Sequence, residues 1–377
     1  MHGSVLLEAF FSRAFLTHLI SSLIPAVGPF LLAAALVIVL TPAAMWLARR
    51  AGFVAAPGGR HIHLEPTPML GGWALYLAFA AAVAWYLGIK DMRIVGLLTL
   101  CGFATLIFTY DDRFQMPALA KLAIQLGLGV LAIAGFGFNI TFFTLLGNHT
   151  IQLGLFSYPL TLFWLLGMQN TINLLDGVDG LAAGVVAVVA AILAAAAISK
   201  GTDETVVILT AGLAGACLGF LVYNFNPARV FMGDSGSHFL GLALGLLSII
   251  GVAKVAVGFA LAVPLIALAV PILDTALAIF RRRRAGLSIA HADTRHIHHQ
   301  LLDFGLSQPE TCLVFYGATA VLGAVGLMLL GHQRIWAVVV VGMLVVVSTV
   351  AGERLQDMTL RVRLPGFRRL LPAPDGE

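Results

Sequence analysis

The sequence predicts an all-α fold: a polytopic integral membrane helical bundle of about eleven transmembrane helices. Three observations carry this. Of the 377 residues, 60% are hydrophobic and only 11% charged, against roughly 25% charged in soluble domains. Apolar runs recur from about residue 26 to 351, each near the ~20 residues a helix needs to cross a bilayer. The polar–apolar alternation of a membrane β-barrel is absent from these runs, so helices are the elements that satisfy the backbone.

Residues 1–27 read as an amphipathic N-terminal segment. Leu6, Leu7, Phe10, Phe11, Phe15, Leu19, Leu23 and Ile24 keep a helical rhythm, with Ser12, Arg13, Thr17 and Ser21 largely on the other side; such a helix suits a membrane surface. No Lys or Arg precedes the apolar part, and Glu8, Arg13 and His18 interrupt it, unlike a signal peptide. Residues 28–351 form the transmembrane domain. Its spans are expected near 28–48, 69–88, 94–110, 117–136, 157–173, 181–198, 205–223, 238–253, 256–280, 311–331 and 335–351. Between the fourth and fifth, "ITFFTLLGNHTIQLGLF" (140–156) sets a Gly-Asn turn between apolar, Thr-rich arms and predicts a small β-hairpin. Cys101, Cys217 and Cys312 lie in apolar runs at unrelated spacings and read as packing residues. The tail 352–377 carries Arg354, Arg361, Arg363, Arg368 and Arg369 among leucines, which suits either anionic lipid or a solvated end.

The net charge of +4 says little alone, because orientation follows the placement of Lys and Arg. Sixteen of the 22 fall on one side, among them Arg49, Arg50, Arg113, Lys121, Arg229 and Arg281 to Arg284. The positive-inside rule makes that side cytoplasmic. The N-terminus and the hairpin are then periplasmic and the C-terminus cytoplasmic. Loops 49–68, 111–116, 170–180, 224–237 and 281–310 share the cytoplasmic face.

Those loops hold the unusual polar segments. "YDDR" (110–113) places adjacent carboxylates at a span end, where desolvation and mutual repulsion are costly; metal binding or proton abstraction would use them, and solvation beside Arg113 is the plainer reading. "NTINLLDGVDG" (170–180) adds Asn170, Asn173, Asp176 and Asp179. "NPARVFMGDSGS" (226–237) sets Asp234 between glycine and serine; it is not a Walker loop, because no Lys follows the glycines. A carboxylate ligand for Mg²⁺ beside a phosphate fits it, as does a simple turn. Within "HADTRHIHHQLLDFG" (291–305), the stretch "RHIHH" (295–299) clusters three histidines with Arg295. His-x-His-His without cysteine is not a structural zinc spacing, and contacts to a polyanion fit better. Asp274, inside an expected span, reads as a packing or orienting carboxylate.

With these segments in order, the chain resembles the polyprenyl-phosphate N-acetylhexosamine-1-phosphate transferase family. The resemblance rests on "RHIHLEPTPMLGG", "DDR" with Lys121 ten residues after Asp111, "NLLDGVDGLA", "NPARVFMGDSGS" and "HIHHQLL", and it covers roughly residues 30–350. One departure is Gln300, where relatives usually carry a basic residue. The resemblance implies transfer of GlcNAc-1-phosphate from UDP-GlcNAc to undecaprenyl phosphate in a bacterial inner membrane, giving undecaprenyl-diphosphate-GlcNAc and UMP. That would be the first membrane step of a surface polysaccharide of O-antigen, common-antigen or teichoic acid type. It implies Mg²⁺, with Mn²⁺ as a substitute, and sensitivity to tunicamycin-type inhibitors. Another UDP-N-acetylhexosamine donor and a homodimer are left open; no nucleic-acid partner is implied.

By the same resemblance, Asn173 and Asp234 would hold the metal. Asp111 would orient or deprotonate the lipid phosphate, with Asp112 in support and Lys121 neutralising charge. Asn170, Asp176 and Asp179 would position nucleotide or metal, and Arg295, His296, His298 and His299 would hold diphosphate and sugar. Carriers instead place ionisable groups near the bilayer midplane, often in repeats; here the polar groups sit at span ends and no repeat is visible.

Overall fold

The computed structural model describes residues 13–55, 66–144, 150–199, 204–252, 284 and 306–329. Nine helices lie among them: α1 (Arg13–Ala51), α2 (Gly71–Leu87), α3 (Met92–Phe114), α4 (Ala118–Phe136), α5 (Ser157–Leu175), α6 (Leu181–Ser199), α7 (Glu204–Asn224), α8 (Gly233–Val252) and α9 (Gln308–Leu329). Six are long and apolar enough to cross a membrane, and α2 is a shorter apolar helix. The chain is a multi-pass membrane protein. The spans expected at 256–280 and 335–351, the tail and the first twelve residues lie outside the described residues.

The bundle is built around α8, whose apolar window is 94% buried, against 17% for α1 and 22% for α4. It packs against α3, α5 and α2, with α6 and α7 behind it. In lipid no hydrophobic effect drives helices together, so close backbone approach through small residues must do so. Glycine supplies it. A Cβ on Gly241 would meet Gln169 Cα and Met168 O of α5 at 2.6 Å. Gly236 and Gly72 bring α8 against α2, and Gly215 and Gly219 bring α7 against the α1 backbone at Phe30 and Ala34. Side chains then lock these contacts: Trp164 Nε1 donates to Ser248 Oγ at 2.8 Å (α5–α8), Trp73 Nε1 to Thr109 Oγ1 at 2.8 Å and Tyr76 Oη to Leu98 O at 3.0 Å (both α2–α3).

Two small antiparallel ladders interrupt the helices. The expected hairpin is present, as β3 (Phe142–Thr144) on β4 (Thr150–Gln152) with Phe143 opposite Ile151. It caps the end where α4 finishes and α5 starts, held by Ser157 Oγ donating to Ile140 O at 2.7 Å. The second ladder was not expected: β1 (Val54–Ala55) pairs with β2 (Thr67–Pro68). Phe231 N continues it by donating to Pro68 O at 2.8 Å, and Gly71 N and Gly72 N donate to Phe231 O and Met232 O at 3.0 Å. The first N–H groups of α2 thus find partners in the segment leading into α8.

The boundaries differ from expectation in three places. The break expected near residue 27 is absent: α1 runs unbroken through it despite Pro25, Pro29 and Pro42. The eighth span begins at Gly233, not 238, so Asp234 lies in the first turn of a helix. Asp111 and Asp112 likewise belong to α3, while α5, which holds Asn170 and Asn173 as the expected span did, runs on to Leu175. Polar residues lengthen these helices instead of ending them because each finds a partner across the bundle.

The close approach of α5 and α8 has a direct consequence. Gly241→Ala should cost about 1–3 kcal/mol by overpacking against backbone. Gly127 of α4, exposed with open space around its Cβ position, should accept alanine without loss. Melting temperatures of the two variants in detergent check the contrast.

Candidate active site

Six helix ends meet at one end of the bundle. The last turns of α3, α5 and α7, the first turns of α4 and α8 and the turn before α6 carry Asp111, Asn173, Asn224, Lys121, Asp234 and Asp179. Asp234 is the centre. Its Oδ2 accepts from Lys121 Nζ at 2.7 Å and its Oδ1 from Asn173 Nδ2 at 2.8 Å. The same ammonium is ion-paired with Asp111. Asp111 is 2% exposed, and its Oδ1 also accepts from Met116 N at 2.6 Å. Lys121 sits in the first turn of α4, where a cation opposes the helix dipole; two carboxylates offset that and hold the ammonium between them.

Adjacent residues on a helix point about 100° apart, and the two aspartates of "DDR" use this. Asp111 turns to Lys121, whereas Asp112 turns to the start of α8. There it accepts from Asp234 N at 2.5 Å and Ser235 N at 3.3 Å. A neighbouring helix thus supplies the side-chain acceptor for N–H groups that a helix start leaves unpaired. Gly233 makes the approach feasible: its φ is +71°, and a Cβ there would collide with the Asp112 carboxylate.

The remaining residues of "NTINLLDGVDG" separate into different surroundings. Asn170 exchanges hydrogen bonds with Gln125 of α4, giving Nδ2 at 2.9 Å and receiving at 3.3 Å. Asn173 also donates to Ser237 Oγ at 3.0 Å; with both amide hydrogens engaged, its Oδ1 is the open group. Asp179 is buried and accepts from Asn226 Nδ2 and Ala228 N, both at 3.0 Å. Its backbone receives Cys312 Sγ, and Gly180 O receives Tyr316 Oη at 2.7 Å, so α9 closes over the turn. Asp179 therefore ties the α7–α8 connection to the start of α6. Asp176, in the turn between α5 and α6, makes no side-chain hydrogen bond among the described residues. Burial and then the carboxylates of Asp234, Asp112 and Asp179 hold it well above the ordinary carboxylate range.

One residue escaped the sequence reading. His238 lies one turn along α8 from Asp234, 1% exposed, with its ring 3.7 Å from that of Phe108 between centroids. Among the described residues neither ring nitrogen has a hydrogen-bond partner. A single histidine four residues after a polar motif was the only signal available. Arg295, His296, His298 and His299 lie outside the described residues.

The donor set bears on the implied metal. Among the described residues no three His, Cys, Asp or Glu side chains gather as a ready-made metal site. What the cluster offers is oxygen, from Asp234, Asp111 and the Asn173 amide, and oxygen is what a hard divalent cation takes, commonly sharing its shell with substrate phosphates. Such a set fits Mg²⁺ in company with a diphosphate.

Comparison with known proteins identifies the family. The description "Glycosyl transferase family 4" matches residues 94–252, the stretch from α3 through α8. A probable undecaprenyl-phosphate N-acetylglucosaminyl 1-phosphate transferase of Bacillus subtilis is 37% identical over 284 residues, 74% of this chain and 78% of the relative. A decaprenyl-phosphate N-acetylglucosaminephosphotransferase of Mycolicibacterium smegmatis is 34% identical over 303 residues, 72% and 73% of the two chains. A phospho-N-acetylmuramoyl-pentapeptide-transferase of a Synechococcus strain is 35% identical over 223 residues, 59% and 64%. The helix-end cluster thus falls inside the matched region, and the chain belongs to the polyprenyl-phosphate N-acetylhexosamine-1-phosphate transferases of glycosyl transferase family 4.

Proposed function

We propose that this protein transfers GlcNAc-1-phosphate from UDP-GlcNAc to undecaprenyl phosphate at the cytoplasmic face of a bacterial inner membrane, releasing UMP. The observation that supports it best is the Asp111–Lys121–Asp234–Asn173 cluster at the bundle end. A lipid phosphate reaches a helix end at the membrane surface, and a nucleotide sugar reaches it from water. The Bacillus subtilis and Mycolicibacterium smegmatis relatives, by name, act on polyprenyl phosphates with N-acetylglucosamine.

In the proposed reaction an oxygen of the lipid phosphate attacks the β-phosphorus of UDP-GlcNAc. The new P–O bond forms as the bond from that phosphorus to the bridging oxygen breaks, and UMP departs with that oxygen. A phosphate monoester is already an anionic nucleophile, so positioning and charge neutralisation carry most of the catalysis. Lys121 supplies a fixed positive charge beside the phosphates. Asp111 holds that ammonium and orients the lipid phosphate or takes its proton. Asn173 Oδ1 and Asp234 would hold Mg²⁺, or Mn²⁺ in its place, and the ion would supply charge neutralisation at the diphosphate. Asp112 acts through α8, setting the position of Asp234. An aspartyl intermediate is not needed, because the lipid phosphate is itself the nucleophile, and Asp112 would have to release two amides at the start of α8 to act as one.

Purified protein with undecaprenyl phosphate and a panel of UDP-sugars, followed by UMP release, tests the assignment. UDP-GlcNAc should be the preferred donor; preference for another UDP-N-acetylhexosamine would change the sugar, and no UMP from any donor would remove the reaction. Asp234→Ala should abolish turnover while the protein elutes normally in detergent, and Lys121→Gln should lower kcat by about 10²–10³-fold. Substantial Mg²⁺-dependent UMP release by Asp234→Ala would contradict the metal assignment.

Asp176 yields a prediction about pH. Because its folded-state carboxyl titrates above the unfolded one, the folded chain loses stability as pH rises from the ordinary carboxylate range through the raised value. Asp176→Asn, in EDTA, should therefore melt higher than wild type at about pH 8 and level with it at about pH 4. Equal melting at both pH values would contradict the crowding of Asp176 by its neighbours.

A further inference from the structure

A second set of cationic side chains converges outside the active site. Arg49 and Arg50 close the last turn of α1, and Arg229 lies in the connection from α7 to α8. Together with Pro42, Trp46 and Tyr223 they line a cavity of about 440 Å³, inside the roughly 300–1,000 Å³ range of small-molecule sites. None of the active-site residues lines it. It opens at the same end of the bundle, because Arg113, next to Asp112, donates to Ala51 O at 2.6 Å at the end of α1.

Among the described residues no carboxylate pairs with these three arginines. The dipole of α1 accounts for cations in its last turn, and the positive-inside rule accounts for arginines at this end. Neither explains why Arg229, from a separate segment that is not helical, joins them around one cavity. The walls are built. Arg50 stacks over the Trp46 ring at 4.1 Å, and Tyr223 Oη donates to Ile38 O at 3.2 Å, pinning α7 to α1. The glycine contacts of Gly215 and Gly219 close the seam just beneath. Further along both helices, toward the middle of the spans, Val39, Leu218 and Val222 are exposed and apolar.

We propose that this cavity binds the phosphate of an anionic membrane phospholipid, with the acyl chains lying along Val39, Leu218 and Val222. Guanidinium groups match phosphate oxygens in bidentate geometry. Trp and Tyr at a span end place amphipathic rings at headgroup depth. A phosphate ester tethered to apolar chains satisfies the cations and the strip below them together, which a free phosphate does not.

Native mass spectrometry of the purified full-length protein tests this, with dioleoylphosphatidylglycerol and dioleoylphosphatidylcholine supplied in equal amounts and inorganic phosphate in a parallel arm. Wild type should retain phosphatidylglycerol in preference to phosphatidylcholine. The Arg50→Gln/Arg229→Gln variant should lower the retained phosphatidylglycerol by roughly tenfold or more, since each arginine takes a charged hydrogen bond with it. Arg229→Gln alone, off any helix, should lose part of the preference while eluting as wild type does, which separates binding from folding. Three results overturn the proposal: no headgroup preference in wild type, unchanged retention in both variants, or displacement of the lipid by inorganic phosphate, which would make this a free-phosphate site.

Discussion

A single ammonium shared by two carboxylates from different helices is the interaction on which the site depends. Burying a carboxylate near the edge of a bilayer is costly unless it is paired and hydrogen-bonded. Asp111 is almost fully buried, and Asp234 leads a helix whose interior is almost wholly enclosed. Lys121 bonds to both. For that to happen α3 must end, and α4 and α8 begin, at the same depth. Asn173 sets the same condition on the end of α5, so the heights of four helices follow from one cluster.

The glycines and Asp112 make that alignment attainable. Gly72, Gly236 and Gly241 let α8 approach α2 and α5 at backbone distance, and Asp112 takes up the N–H groups at its start. Placing the reactive groups on helix ends rather than on free loops gives them the precision of the packed bundle. The turn at Asp179 extends the same scheme, binding the α7–α8 connection from behind and passing the constraint to α9.

Much of this was legible in the sequence, for identifiable reasons. Apolar runs of bilayer length reveal membrane helices because lipid leaves the backbone no alternative, and the Gly-Asn turn between Thr-rich arms revealed the hairpin. The motif residues Asp111, Asp112, Lys121, Asn173 and Asp234 do come together at one end. Their partners were not legible. Asp112 reaches a helix start 122 residues away, and Asp179 bonds a loop 49 residues away; no local pattern encodes either. Composition placed Asp234 in a loop, because glycine and serine around it look like a turn until a capping carboxylate from elsewhere lets the helix begin there. His238 was passed over because a lone histidine in an apolar run carries no spacing signal.

The most direct measurement is a double-mutant cycle on thermal stability in detergent and on kcat/KM, using Lys121→Met, Asp234→Asn and the pair. If one ammonium holds Asp234 in place, the two changes are coupled, with an interaction energy of about 1–3 kcal/mol, and the double variant is barely worse than the poorer single one. Strict additivity in both readouts would contradict the account, because Lys121 and Asp234 would then act independently and the helix-end cluster would not be held by the charge they share.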